Sequence, residues 1–282
     1  MACTVALIGA GGKMGLRIVR NLRECAQYRA LYCENNPAAA ARLREQGLAV
    51  TGGEIAVQQA EFIILAVPDL AIKAVSAELV PPARAGSTFL LLDPAAAVAQ
   101  EVALRVDLNY VACHPCHPPL FGEQLTPEAR RDFFGGTAAW QDIVMALMRG
   151  PEAAFAPAEQ LCKVIFNPVR QAHRITIEQM ALLEPTMAEV VAASAAVLMR
   201  EAMEEAVKAG VPRPAAEAFM MGHAQIPLAI VFGEIKSPFS DACKIAIRWG
   251  TERIIKPDWR QVFRPDQVKA AVHAMLHPEE GV

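Results

Sequence analysis

Cys3-Thr-Val-Ala-Leu-Ile8, then Gly9-Ala-Gly11-Gly12-Lys13-Met14-Gly15, then Leu16-Arg-Ile-Val-Arg-Asn-Leu22, reads as a strand, a glycine turn and a helix in succession. Apolar residues at 16, 18, 19 and 22 carry the helical period. Glycines at such a junction let the backbone turn tightly and approach a pyrophosphate, whose charge rests on the helix N-terminus. The spacing is Gly-x-Gly-x-x-x-Gly, one residue longer than the commonest fingerprint, so its weight comes from context. A second apolar run, Ala30-Leu-Tyr-Cys33, ends on Glu34, about 20 residues beyond the glycines, where an acidic side chain binds the adenosine ribose hydroxyls. A glycine turn without a nucleotide is the competing reading, and that order of elements weighs against it. The expected cofactor contacts are Gly9, Gly11, Gly12, Lys13, Met14, Gly15 and Glu34, joined by Val67, Pro68 and Asp69 at the end of a later strand. A Glu34 carboxylate accepts from a diol and repels a 2′-phosphate, so NAD is expected rather than NADP. Lys13 partly offsets that repulsion, while Asn35 and Asn36 add no positive charge.

Strand and helix alternate outward from this unit. Glu61 to Val67 is a strand ended by Pro68-Asp69, and Leu70 to Leu79 the next helix. Ser87 to Leu92 is a strand closed by Asp93-Pro94, and Ala95 to Arg105 has helical composition. Asn109 to Cys113 is a strand running into a His114–Pro119 loop, Thr137 to Met148 another strand, and Pro157 to Val164 a helix. The expectation is an α/β chain, with an N-terminal Rossmann doubly wound parallel sheet followed by an all-helical C-terminal domain. The composition shifts near 165–175. From Ile177 to Ala209 the chain is almost continuously helix-forming, and Gly210-Val-Pro-Arg-Pro stops it. Helices are expected at about 214–222, 238–255 and 265–276. The domains are therefore drawn at 1–170 for the NAD-binding part and 171–282 for a helical substrate and dimerisation part. A helical domain of that size has little room for its own core, so its Ala/Met/Val-rich long helix is expected to pack on a second subunit, giving a homodimer. A helix buried within one chain is the alternative, which periodicity does not exclude.

Composition narrows the function class. A net charge of −3 gives no electrostatic case for nucleic acid or an anionic membrane. The first apolar run is too short for a signal peptide and leads into the glycine turn. The Met180–Met199 stretch is interrupted by Glu184, Pro185 and Glu189, and reads as a buried or interfacial helix rather than a membrane span. Seven scattered cysteines, an odd number, suit a reduced cytoplasm.

Two places carry candidate chemistry. His114-Pro115-Cys116-His117-Pro118-Pro119 sets two imidazoles three residues apart on a proline-stiffened segment at a strand end, suited to binding a metal or positioning a substrate. Capping of the loop by one of the histidines is the plainer reading. Cys113 and Cys116 form a single C-x-x-C with no second pair, which argues against a structural zinc module. Glu184 stands before Pro185 in an apolar stretch, where the helix is expected to kink or restart. A carboxylate there is costly unless paired or metal-bound, and a helix-start carboxylate favoured by the dipole is the equal alternative. Glu178 and Glu189 fit ordinary helix positions. His173, His223, Lys236 and Lys244 are weaker candidates, and His273 and His277 are expected at the surface.

The Gly9–Gly15 turn with Lys13-Met14-Gly15, the Ala66-Val67-Pro68-Asp69 strand end and the helical second half resemble the 6-phosphogluconate and β-hydroxyacid dehydrogenase superfamily. The Cys113–Pro119 loop with Ile177-Glu-Gln-Met and Glu184-Pro185 is similar to its phosphogluconate-dehydrogenase-like D-apionate oxidoisomerase branch. Typical β-hydroxyacid dehydrogenases carry a catalytic lysine near the start of the long helix, yet residues 177–199 here hold none. The resemblance to the branch implies NAD-dependent oxidation of a branched sugar acid at C2. Migration of a hydroxymethyl group from C3 to C2 then gives 3-oxo-isoapionate. Such a shift needs a Lewis acid on the carbonyl and a base on the hydroxyl. The expected catalytic residues are His114, His117 and Glu184, with His114 and Glu184 holding a divalent metal, zinc ahead of magnesium. Plain hydroxy-acid dehydrogenation and nucleotide binding without catalysis stay open as alternatives.

Overall fold

The computed structural model describes residues 2–280. Its strands are β1 (Cys3–Ile8), β2 (Tyr28–Cys33), β3 (Phe62–Leu65), β4 (Thr88–Leu91), β5 (Asn109–Pro115), β6 (Gln141–Arg149) and β7 (Val169–Arg174). Around them run α1 (Lys13–Arg23), α2 (Pro37–Glu45), α3 (Gly53–Gln59), α4 (Asp69–Leu79), α5 (Ala95–Val98) and α6 (Phe155–Ile165). The chain continues through α7 (Ile177–Ala181), a π-helical stretch (Leu182–Ala193), α8 (Ser194–Lys208), α9 (Arg213–Val231), α10 (Asp241–Ile254) and α11 (Pro265–Leu276). It divides into two compact units. One runs to Glu184 and takes back the chain from Val272; the other is Pro185–Ala271.

The first unit is one seven-stranded sheet in the order β2-β1-β3-β4-β5-β6-β7. The first five strands are parallel, and β3 and β4 are buried along their whole length because helices cover both faces. One core face gathers Leu7, Ile18, Leu22, Ile64, Leu90 and Val111, the other Ala6, Ile63, Leu65, Phe89, Leu91 and Tyr110. The strand expected over 137–148 is β6, and it runs antiparallel to β5. Its parallel neighbour β7 forms the last edge, in a stretch whose Arg170, Gln171 and Arg174 hide the apolar alternation of a half-buried strand. The helix expected over 95–105 stops at Val98; the chain then binds through Ser76, whose hydroxyl accepts the Ala103 amide at 3.0 Å.

In the second unit α8 packs on α9, and α8 and α10 bury no residue. Val197, Phe219, Ile245, Ile247 and Trp249 are exposed. Pro185, where a kink or restart is expected, lies inside a π-helical stretch, and the helix does not restart there. The proline supplies no amide to an i−4 ladder, and the backbone widens into π turns that keep one continuous helix. Ile177–Lys208 is long and apolar enough to cross a membrane by length and composition, and 11% of its most apolar window is buried.

The C-terminal turn returns to the first unit, where Val272 and Leu276 pack on Ala95. His277 is therefore not the surface residue expected: its Nε2 lies 2.8 Å from Glu101. The His277 contact lowers the Glu101 carboxyl, and the Glu101 contact raises the His277 imidazole. Glu101 contributes above its ordinary 4.5 and loses that contribution as pH falls through the lowered value. His277 contributes below its ordinary 6.5 and loses it as pH rises through the raised value. The stability difference between wild type and His277→Ala, from urea titrations, is expected to be largest between about pH 4.5 and 6.5 and to shrink on both sides. A difference independent of pH would remove the pair from the account.

Candidate active site

The glycine turn shapes the first part of the site. Gly9 has φ +83, and a Cβ there would strike the Ala66 carbonyl oxygen. A Cβ on Gly15 would overlap the Gly9 carbonyl oxygen, so only glycine lets α1 lie this close to β1. Gly12 stands at the N-cap of α1 with no side-chain cap, leaving the first amides of the helix to an outside anion. Glu34, at the end of β2, accepts the Gly11 amide at 2.9 Å through Oε2 and the Asn36 amide at 2.8 Å through Oε1. Four lone-pair directions on a carboxylate leave acceptors for a ribose diol. A cleft lined by Gly9, Cys33, Glu34, Asn35 and Val67 lies on one side of the turn. A second cleft, about 380 Å³, runs past Gly12, Lys13, Met14 and Val67–Asp69 to Asp93. All the expected cofactor contacts line one of these clefts or build the turn.

At the far end of that second cleft stands a triad. His114 belongs to β5 itself rather than to the loop after it, and β5 delivers it to the ligand edge of the sheet. α5 and α7 pack against each other, which brings Asp93, before α5, and Glu184, after α7, to the same place. One ligand atom from each of Asp93, His114 and Glu184 lies within 4.8 Å of the other two. His114 Nδ1 is 2.8 Å from the Leu92 carbonyl, which only accepts, so Nδ1 carries hydrogen in that contact. Nε2 is then left buried without a hydrogen-bond partner, 3.3 Å from Glu184 Oε2. In a neutral imidazole that is a lone pair facing a carboxylate, an arrangement a cation between them relieves. Asp69 adds to the crowding. Burial first, then the Asp93 charge, pushes its carboxyl up to about 6, with His114 opposing and Glu184 adding. A site this rich in carboxylates suits a divalent ion in both charge and donor chemistry.

His117 follows in the left-handed region, φ 60, which is uncommon for a residue with a side chain and recurs at functional sites. Its Nδ1 is 2.9 Å from the Phe134 carbonyl, so Nε2 is the acceptor nitrogen, and its ring stands edge-on to His114 at 6.0 Å. Of the three residues expected to be catalytic, His114 and Glu184 meet in the triad and His117 stands beside His114. The cluster adds Asp93, which was not among the expected site residues although it closes a parallel strand at the edge where ligands bind. The C-x-x-C does not form a pair: Cys113 is packed in the core, and burial, with Asp142 and Glu184, pushes the Cys116 thiol up to about 11. His173 is bound to Asp142 at 2.9 Å, His223 stacks on Phe219, and Lys244 pairs with Asp241. Glu178 occupies the first turn of α7.

A doubly wound sheet with a glycine turn at its first crossover, an acid after β2 and a polar cluster at the sheet's ligand edge defines a nicotinamide-dependent oxidoreductase. Known proteins agree. Residues 122–276 match the C-terminal family of decarboxylating phosphogluconate dehydrogenases, and residues 4–97 match the coenzyme F420-dependent NADP oxidoreductase family. A D-apionate oxidoisomerase of Cupriavidus necator is 44% identical over 95% of this chain and 97% of its own. One of Pectobacterium atrosepticum is 42% identical over 97% and 95%. A crystal structure from Cupriavidus necator, described as a semialdehyde dehydrogenase NAD-binding protein in complex with calcium and NAD, superposes with a TM-score of 0.94. It is 43% identical and covers 98% of this chain and 100% of its own. This chain belongs to the D-apionate oxidoisomerase family.

Proposed function

We propose that the protein uses NAD to oxidise D-apionate at C2 and rearranges the product to 3-oxo-isoapionate. The observation that carries this reading is the buried His114 Nε2 facing Glu184, with Asp93 beside it, one cleft away from the dinucleotide turn. Asp93, His114 and Glu184 would hold the cation. One imidazole with two carboxylates favours zinc or a similar borderline ion over calcium or magnesium, which prefer oxygen alone. A divalent ion held there would supply Lewis acidity for polarising a carbonyl. The glycine turn and Glu34 would seat NAD, and the cleft that passes Val67–Asp69 leads from that turn to Asp93 of the triad. His117, its acceptor Nε2 set by the Phe134 carbonyl, takes the C2 hydroxyl proton as hydride leaves C2 for NAD. It then releases that proton to water and takes the one on the tertiary C3 hydroxyl. The hydroxymethyl group migrates with its bonding pair from C3 to C2, C3 becomes the ketone, and the C2 oxygen receives the proton. One NAD is consumed and no second oxidant is needed.

The test is to incubate the protein with NAD and D-apionate, or with unbranched aldonic acids, with and without a chelator. NADH formation and the NMR spectrum of the product are followed. NADH with a rearranged product from D-apionate alone, abolished by chelation and restored by metal, is expected. Oxidation without migration would reduce the protein to a plain hydroxy-acid dehydrogenase, and no NADH from any sugar acid would leave a nucleotide-binding protein.

The setting we propose is a cytoplasmic homodimer with a small-molecule substrate and no nucleic-acid or membrane partner. The apolar side chains of α8, α9 and α10 support it, since few find cover within one chain. An obligate interface of this kind buries about 2,000 Å² or more. Sedimentation at micromolar concentration is expected to give a dimer, and Trp249→Glu with Ile245→Glu to shift it to monomer. A wild-type monomer would end the proposal.

A further inference from the structure

The segment 116–140 leaves Leu120, Leu125 and Phe133 exposed, so apolar burial alone does not hold it in place. Hydrogen bonds do much of that work. Asp132 Oδ2 accepts the amides of Thr137, Ala138 and Ala139 at 3.1, 2.9 and 3.2 Å. Burial opposes its ionisation, but the Thr137 side chain and these amides outweigh it and hold the carboxyl below its ordinary value. Two residues of α1 grip the resulting turn. Arg17 reaches within 4.0 Å of Asp132 Oδ1 and lays its guanidinium 4.9 Å from the centroid of the Phe134 ring. Asn21, four residues on along the same helix face, is buried and donates Nδ2 to the Gly136 and Ile165 carbonyls at 3.1 and 3.0 Å. The carbonyl of Phe134 is the group that holds His117 Nδ1.

We propose that Arg17 is a positioning residue for His117, acting through Phe134, so that the helix whose first turn receives the pyrophosphate also sets the tautomer and aim of the imidazole. An exposed arginine on a helix usually contributes little. This one is only 28% exposed in its side chain and touches both the carboxylate that folds the turn and the ring of the residue that orients His117. A flat guanidinium stacked on an aromatic face fixes a plane, which a lysine cannot do. The inference rests on His117 being the base.

The test is a double-mutant cycle on the full chain with Arg17→Ala, Arg17→Lys, His117→Ala and the Arg17→Ala/His117→Ala pair. It reads kcat across pH, the Kd for NAD and the ¹⁵N shifts of the His117 ring. Arg17→Ala is expected to lower kcat about tenfold, a typical coupling for residues in one contact network. The Kd for NAD should stay within about twofold, since Arg17 lies outside the Gly9–Gly15 turn, and the loss should disappear in the His117→Ala background. The ring should move from one tautomer in wild type to a mixture in Arg17→Ala, and Arg17→Lys should recover only part of kcat. A loss of equal size in both backgrounds, or an unchanged tautomer, overturns the role of Arg17. If His117→Ala alone leaves turnover intact, the base assignment itself falls, and the two failures are told apart by that single variant.

Discussion

His114→Ala and Glu184→Gln are each expected to lower turnover by about three orders of magnitude or more while NAD binding stays at the wild-type level. Loss of Lewis-acid stabilisation is worth several kcal/mol, and each 1.36 kcal/mol is about a factor of ten in rate. Glu184→Gln keeps the volume and removes the charge that faces His114 Nε2 at 3.3 Å. Neither residue touches the Gly9–Gly15 turn, so calorimetric NAD titrations should not move. Elemental analysis should find about one divalent ion per wild-type chain and less in both variants. Asp93→Asn should weaken metal binding in the same direction, because its carboxylate completes the set. Full activity in metal-stripped protein, together with normal turnover in both variants, would remove the metal and the assignment together.

Glu34→Ala is expected to weaken NAD about 10- to 100-fold and to relax discrimination against NADP. The estimate follows from about 1.5–3 kcal/mol for a hydrogen bond to a charged group. The substitution acts twice. It would remove the carboxylate expected to accept from the ribose diol, and it frees the Gly11 and Asn36 amides that the two carboxylate oxygens now hold. Glu34→Gln separates these effects, since an amide oxygen still accepts from one backbone amide while the negative charge is gone. Calorimetry with both dinucleotides gives the reading. NADP binding more tightly than NAD to the unmodified protein would reverse the cofactor assignment.

The cofactor half was legible because its requirements are local. A turn that forbids side chains at Gly9 and Gly15 and an acid one strand later leave their mark within some 30 residues. The triad was only half legible. His114 stood out through its prolines and Glu184 through Pro185, but their meeting depends on α5 packing against α7, a contact between segments about 80 residues apart. Asp93 was hidden for the same reason: in sequence it is only a residue that ends a strand. β7 was illegible because Val169–Arg174 is an edge strand with only partial burial, so charged residues interrupt its period. His277 was misread because its partner, Glu101, lies 176 residues away.

The reversal of β6 has a consequence for how this protein can change over time. Antiparallel neighbours such as β5 and β6 can be joined by two residues, yet the chain spends residues 116–140 on the connection, at the edge where the triad sits. The topology does not require that length. Selection can therefore lengthen, shorten or rewrite residues 118–131, ahead of the Asp132 turn that holds His117, while every strand keeps its register, and new substrates become reachable without new folds. Chimaeras that exchange 118–131 between relatives are expected to keep their thermal midpoint and NAD affinity while their preference among sugar acids moves.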